Sequence, residues 1–201
     1  MKPNHNLLAA FTGPLLVAFL ATSAHAGLFE YDAILSGPNE SPVNASPGTG
    51  FAVVDYDSTA HTLHLQVSFS GLTGTTTASH IHAATALPLS GTAGVATTTP
   101  YFAGFPIGVT SGTYNNTLDL TLSSSYNPSY VTANGGTTAS AEAALTSAMA
   151  AGEAYLNIHS TTFPGGEIRG FLVAVPEPSS IALLGLGASA LVFAVRRRKT
   201  S

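Results

Sequence analysis

Three histidines are the residues of this chain best suited to chemistry. His80 and His82 are separated by one residue, and His159 lies in a later segment of similar character. Alternate side chains of a β-strand point to the same face, so His80 and His82 share a face while Ile81 points to the other. Neutral imidazoles are good ligands for copper and zinc. If the two segments are neighbouring strands, the three rings converge into a metal site.

The alternative interpretation is that each histidine is a surface residue hydrogen-bonded to backbone carbonyls. His61 and His64 are expected to be of this kind, because one lies near a turn and the other stands alone on a polar face. His80, His82 and His159 are predicted to lie on the same strand face, which favours a shared role for them. The sequence leaves both interpretations of this cluster open.

Arg169 and Glu167 form a second candidate pair, and they are predicted to share a strand face. Arg169 is the only arginine or lysine between residues 27 and 195. A buried arginine is seldom left unpaired, so Arg169 is expected to anchor carboxylates, with ligand steering as the alternative. No Ser-His-Asp order, nucleotide-binding loop or carboxylate pair stands out. Enzyme activity therefore stays open, and a non-catalytic role is favoured.

Alternating hydrophobicity predicts the strands that must position these residues. The clearest case is residues 63–69, where every second side chain is apolar. An Ala-rich segment followed by Gly152 predicts one short helix over residues 138–151. The fold class is therefore all-β, an antiparallel Greek-key β-sandwich or flattened barrel. Residues 83–111 are predicted to be a long loop with one short strand around 94–98. The other predicted strands are 31–35, 51–55, 78–82, 117–122, 154–159 and 167–173.

Both ends of the chain have the pattern of export signals. Lys2, the apolar run over residues 7–20 and the small residues Ala24 and Ala26 predict a signal peptide, residues 1–26, removed by signal peptidase. Residues 179–195 are apolar and uncharged, which predicts a transmembrane helix. The basic residues that follow keep its end in the cytoplasm. The chain therefore divides into 1–26, a β domain over 27–174, and a tail over 175–201.

The predicted exported part is strongly acidic. All ten acidic residues lie between Glu30 and Glu177, where Arg169 is the single basic residue, so its net charge is near −9. Nucleic acids and anionic lipids would repel such a surface, and this excludes nucleic-acid binding. The chain has no cysteine, so its core must hold the fold together without disulfides.

The C-terminal tail resembles the PEP-CTERM sorting signal of Gram-negative bacteria. In that signal a Pro-Glu-Pro motif, an apolar helix and an arginine-rich end follow in this order. The resemblance implies an inner-membrane-anchored precursor processed by an exosortase, and then a cell-surface or extracellular location. An exopolysaccharide or another surface protein is the candidate partner. The residues of the match are Pro176, Glu177, Pro178, Arg196, Arg197 and Arg198.

The exported domain resembles the CHRD domain, named for its repeats in chordin. Residues 78–82 and 154–170 carry the resemblance, and residues 35–43 fit the opening loop of that family more loosely. The resemblance implies a fold and an exported location rather than an activity. It favours a binding or structural module associated with the cell surface or the extracellular matrix.

The order of His80, His82, His159 and Arg169 also resembles that in copper-zinc superoxide dismutase. That enzyme has further zinc ligands, a bridging histidine and a disulfide. Here residues 83–111 contain no His, Asp or Glu, and cysteine is absent. Dismutase activity is therefore not expected. The alternative function is a small β-barrel metalloprotein with a reduced three-histidine site for copper or zinc.

Overall fold

A computed structural model describes residues 27–176, and these residues form one curled antiparallel sheet with two helices. The predicted antiparallel all-β class is confirmed. The sheet curls into a half barrel around the hydrophobic core. The helices are α1 (Pro128–Ala133) and α2 (Thr138–Ala150). The strands are β1 (Leu28–Ser36), β2 (Thr49–Asp57), β3 (Thr62–Ser70), β4 (Thr76–His82), β5 (Gly112–Asp119), β6 (Tyr155–Ser160), β7 (Ile168–Phe171) and β8 (Val173–Ala174).

The order of strands places the two histidine-bearing strands side by side. The order is β4-β6-β7-β1-β2-β3-β5, and β8 pairs with β1. Strands β1, β2 and β3 form a meander, after which the chain crosses to the opposite edge of the sheet to begin β4. Strand β6 then returns beside β4 and pairs with it antiparallel. A crossover of this kind brings together residues that are far apart in sequence.

The core forms on one face of the sheet, as the alternating pattern predicts. Leu63, Leu65, Val67 and Phe69 of β3 are all buried. Burying one such side chain contributes about 1.5–3 kcal/mol. Because the apolar face turns inward, the polar face of β4 and β6 lies on the outside of the half barrel.

Helix α2 matches the predicted helix and ends one residue earlier than predicted. Thr137 and Ser140 form a reciprocal capping box at its start. Gly152, with φ of +70°, follows its end, where a glycine adopts left-handed backbone without strain. Helix α1 was not predicted. Its signals were the Asn127 cap and Pro128 at the first helical position.

The predicted strand over residues 117–122 is wrong in its bounds, because β5 ends at Asp119. The Asp119 carboxylate accepts hydrogen bonds from the Thr121 backbone N–H and hydroxyl, at 2.9 and 2.6 Å. This side chain turns the chain out of the sheet. Leu122 is 52% exposed as a result, although it continues the apolar alternation of Leu118 and Leu120.

Residues 83–111 contain no full strand, and where a short strand was predicted around 94–98 the structure has only single β-bridges, from Val95 to His82 and from Thr97 to Tyr126. Instead this loop covers the free edge of β4. The Ile81 carbonyl accepts hydrogen bonds from the N–H groups of Ala96 and Thr97, and the Ser79 carbonyl accepts one from Phe102. An uncovered edge strand would expose these groups to pairing with other chains.

The single strand predicted over 167–173 is divided into β7 and β8. Leu172, between them, is fully buried, and its N–H donates to the Ala154 carbonyl at 2.9 Å. After Leu172 the chain moves across to β1 and pairs with it as β8.

The predicted signal peptide (1–26), transmembrane helix (179–195) and basic end (196–199) lie outside the described residues. Within residues 27–176, no helix has both the length and the apolar character needed to cross a bilayer.

Candidate metal centre

Strands β4 and β6 bring His80, His82 and His159 together on one face. Ala78 lies opposite His159, and His80 lies opposite Asn157. Opposite and alternate residues share a face in an antiparallel pair, so all three rings project outward from neighbouring positions. One ring nitrogen from each histidine lies within 4.8 Å of the other two. The ring centroids are 4.7 Å apart for His80–His82 and His80–His159, and 6.2 Å apart for His82–His159.

Hydrogen bonds to backbone carbonyls fix the tautomer of two of the rings. His82 Nδ1 lies 2.8 Å from the Ala93 carbonyl, and His159 Nδ1 lies 2.9 Å from the Pro164 carbonyl. A carbonyl can only accept, so each Nδ1 carries the proton and each Nε2 carries a lone pair. Metal-binding histidines are usually oriented in this way.

The remaining nitrogens are buried without partners. His80 Nδ1, His82 Nε2 and His159 Nε2 have no hydrogen-bond partner in the protein. A buried polar atom in this state costs about 1–3 kcal/mol, so three in one cluster call for an explanation. A metal ion bound between the rings supplies one, because each lone pair then has an acceptor.

The three imidazoles are held neutral. Burial and the neighbouring His82 and His159 lower the pKa of His80 to about 3. Burial lowers the pKa of His82 to about 4, although its hydrogen bond to Ala93 opposes this. Burial also lowers the pKa of His159. Neutral imidazoles are the form that binds metals, so protons do not compete for the site near neutral pH.

One side of the cluster is covered by Tyr155 and by the loop over residues 83–95. The Tyr155 ring stacks on His82 with centroids 4.6 Å apart and planes nearly parallel. The Ala93 N–H donates to the Tyr155 hydroxyl at 3.3 Å. Loop and strand therefore hold the His82 ring in one orientation.

Arg169 lies on the other side of Tyr155, with its guanidinium 4.7 Å from the ring centroid. Its Nε–H donates to the Asn39 carbonyl at 2.5 Å, and its Nη1 donates to the Gly91 carbonyl at 3.1 Å. The nearest carboxylate oxygen is Glu40 Oε2, 3.8 Å from Nε. Arg169 thus binds carbonyls more closely than carboxylates, and it joins the cover loop to the opening loop of the domain.

Glu167 contacts a different set of groups from Arg169. Its carboxylate accepts hydrogen bonds from the Ser46 hydroxyl at 2.6 Å, from the Gly74 N–H at 3.2 Å and from the Thr73 N–H. Burial raises the pKa of Glu167, but these hydrogen bonds and one from Ser160 together hold it below its usual value. Glu167 joins two loops at one end of the sheet.

Glu40 and Asn157 form a buried polar pair that sequence reasoning did not single out. Glu40 Oε1 and Asn157 Oδ1 have no hydrogen-bond partner, and both lie within 2.8 Å of the point where a Cβ on Gly166 would be. Burial raises the pKa of Glu40 to about 7, against the opposing charge of Arg169. Strand alternation places Asn157 on the face of His159, whereas nothing in the sequence indicates that the Glu40 loop folds onto it.

His61 and His64 lie elsewhere, as expected. His61 Nδ1 is 2.9 Å from Glu142, which also accepts from the Tyr56 hydroxyl at 2.8 Å. His64 lies between Asp55 and Asn115. Glu142 belongs to helix α2. Its carboxylate joins α2 to the β2–β3 hairpin.

The cluster therefore presents three neutral nitrogen ligands. Among residues 27–176, no other His, Cys, Asp or Glu joins these three histidines. Closed structural zinc sites have four protein ligands, whereas sites with three keep a position for water or another ligand. The donor set suits copper or zinc.

Comparison with known families identifies two matches in this chain. The CHRD domain matches residues 31–172, which is most of the chain. The chain belongs to the CHRD domain family. A PEP-CTERM protein-sorting motif matches residues 174–199 of this CHRD protein, so it is exported as a membrane-anchored precursor and processed by an exosortase. Neither the comparison with curated proteins nor that with solved structures finds a match.

Proposed function

We propose that this CHRD domain is an exported metal-binding module, displayed on the cell surface, in which His80, His82 and His159 bind one copper or zinc ion. The observation that carries the proposal is the convergence of the three rings, in which one nitrogen of each lies within 4.8 Å of the other two. Each ring also has one buried nitrogen without a partner. Ligand bonds of ~2.0–2.1 Å place imidazole nitrogens roughly 3–3.5 Å apart around an ion. A small inward movement of the rings from their present spacing meets this requirement.

Copper is expected to bind more tightly than zinc. Affinity for nitrogen ligands rises along the first-row divalent metals to copper and falls at zinc. The acidic exported part, with ten acids and one arginine, also attracts cations to the domain. The role proposed is binding rather than catalysis, since no general acid or base among the described residues points into the cluster.

Titration of the purified domain with copper(II) and zinc(II) tests the proposal. His82→Ala and His159→Ala are the test variants, and His64→Ala is the matched control because His64 lies on a strand outside the cluster. Each test variant should weaken copper binding by roughly 100-fold or more, because even loss of an outer-shell partner typically costs 10–100-fold. His64→Ala should bind copper as the wild type does.

Equal copper affinity of His159→Ala and His64→Ala would contradict the proposal. Thermal unfolding without metal identifies any variant that fails to fold. Zinc binding that survives loss of either ligand would likewise show that the ion lies elsewhere.

A further inference from the structure

Strand β8 contains the first residue of the sorting motif. The motif matches residues 174–199, and β8 is Val173–Ala174. Ala174 lies opposite Tyr31 of β1, and Val173 lies opposite Asp32. The Val175 N–H then donates to the Glu30 carbonyl at 2.9 Å. The beginning of the sorting motif is thus paired into the folded sheet.

Little chain separates this pairing from the apolar part of the tail. Among residues 27–176, Val175 is the last with a backbone hydrogen bond to β1, and the apolar stretch of the sequence begins at Ser179. Three residues extend at most about 10 Å. Two of them are prolines, which restrict the chain further. A membrane-bound processing enzyme must therefore work close to the sheet.

The attachment of β8 is short and exposed. Both of its residues are exposed, and Val173 is 52% accessible. Leu172, just before it, is fully buried and hydrogen-bonded to Ala154. Short terminal strands with few buried contacts open locally at low cost, while the buried residue beside them stays in place. Leu172 is thus the point at which the chain end can hinge.

We infer that β8 is a releasable strap, which must leave β1 before the exosortase can bind the start of the sorting motif. Extended peptides are commonly recognised through their backbone groups. The backbone of residues 173–175 cannot pair with β1 and with an enzyme at the same time. The folded sheet therefore sets the rate at which the tail is processed. This inference goes beyond the proposed metal site and does not depend on it.

Processing rates of the full-length chain in an exporting host with its exosortase test the strap. Val173→Pro removes the backbone N–H of residue 173 and disfavours strand pairing. Val173→Thr keeps this N–H and is compatible with a strand, so it is the control. Pulse-chase labelling should show conversion of the Val173→Pro precursor on the order of fivefold faster, which corresponds to one net hydrogen bond of about 1 kcal/mol. Val173→Thr should match the wild type.

A cross-strand lock gives the opposite test. Tyr31→Cys with Ala174→Cys places a cysteine pair at opposite positions in a chain that has no other cysteine. Oxidation should stop conversion, and a reductant should restore it, while either single variant shows no redox dependence. If the two cysteines prevent folding, the comparison of Val173→Pro with Val173→Thr still tests the strap.

Two results would overturn the strap: equal conversion of Val173→Pro and Val173→Thr, or conversion of the oxidised pair at the reduced rate. Copper titration of Val173→Pro distinguishes failure of the strap from failure of the proposed metal site. Its affinity should equal that of the wild type, whichever way the processing result falls.

Discussion

The Nδ1–H groups of His82 and His159 determine what their rings can do. Each donates to a backbone carbonyl, of Ala93 and of Pro164, which leaves Nε2 as a lone pair directed away from that bond. A surface histidine gains the same hydrogen bond and turns its other nitrogen to water. Here that other nitrogen is buried without a partner. This difference sets the two rings apart from surface histidines and supports the proposed metal site.

The lowered pKa values of His80 and His82 predict acid sensitivity of the metal-free domain. Their pKa values of about 3 and about 4 lie below the ordinary value of 6.5. Below pH 6.5 the unfolded chain therefore binds protons that the folded state excludes until about pH 4, and stability falls as pH falls. The slope is roughly 1.4 kcal/mol per pH unit for each histidine.

Thermal unfolding in EDTA at pH 7 and pH 5 measures this sensitivity. A His80→Gln/His82→Gln variant should lose less stability between these values than the wild type does. Glu40, whose pKa is raised, makes the domain more stable as pH falls, which is opposite to the effect of the histidines. Because Glu40 is present in both proteins, the difference between them reports the histidines alone. Equal losses in both proteins would show that the rings are not held neutral by burial.

Glu40→Gln should stabilise the domain more at high pH than at low pH. The raised pKa of Glu40, about 7 against 4.5, means that the folded state favours the protonated acid. Stability is therefore lost as pH rises from 4.5 through 7, by roughly 3 kcal/mol at most. Denaturant unfolding at pH 5 and pH 8 checks this, with Glu30→Gln as the control because Glu30 is exposed. A gain that is equal at both pH values would contradict burial as the cause.

At the scale of elements, alternation predicted which residues share a face but not which strands are neighbours. The patterns over 78–82 and 154–159 correspond to β4 and β6, and the helix pattern corresponds to α2. Strand pairing depends on crossovers between distant parts of the chain, which local periodicity does not encode. Asp119, which ends β5 through a side-chain hydrogen bond, shows that one polar residue can override an alternating pattern.

Burial of the Glu40–Asn157 pair was likewise beyond the sequence, because it depends on how a loop folds over the sheet. The position of the Glu40–Asn157 pair is set by Gly166, which has φ of +133°. A Cβ there would lie 2.6 Å from Glu40 Oε1 and 2.7 Å from Asn157 Nδ2. Only glycine fits this turn, which also carries the Pro164 carbonyl that orients His159.

Gly166→Ala should therefore destabilise the domain and weaken copper binding together. Left-handed strain costs about 1–3 kcal/mol, and the contact with Glu40 adds to it. Gly165→Ala is the matched control, since a Cβ at Gly165 meets nothing within 4 Å. Thermal unfolding and copper titration of both variants check the prediction. If Gly166→Ala is as stable as Gly165→Ala, the turn does not require glycine at residue 166.

At the scale of the whole molecule, the chain combines an acidic, cysteine-free sheet with a tail that directs its export. The curled sheet buries its apolar face and leaves the outer face of β4 and β6 to a polar cluster under a loop. A domain of this kind meets the metals available outside the cytoplasm. Its net negative charge attracts cations, and burial keeps its three clustered histidines neutral near neutral pH.

The metal content of the processed protein from its native host tests this account most directly. Elemental analysis of the wild type should find about one copper or zinc ion per chain, as expected for a single three-histidine site. The His82→Ala/His159→Ala variant, prepared in the same way, should contain neither metal above background. A wild-type protein that is free of both metals and takes up neither on incubation would contradict the central claim.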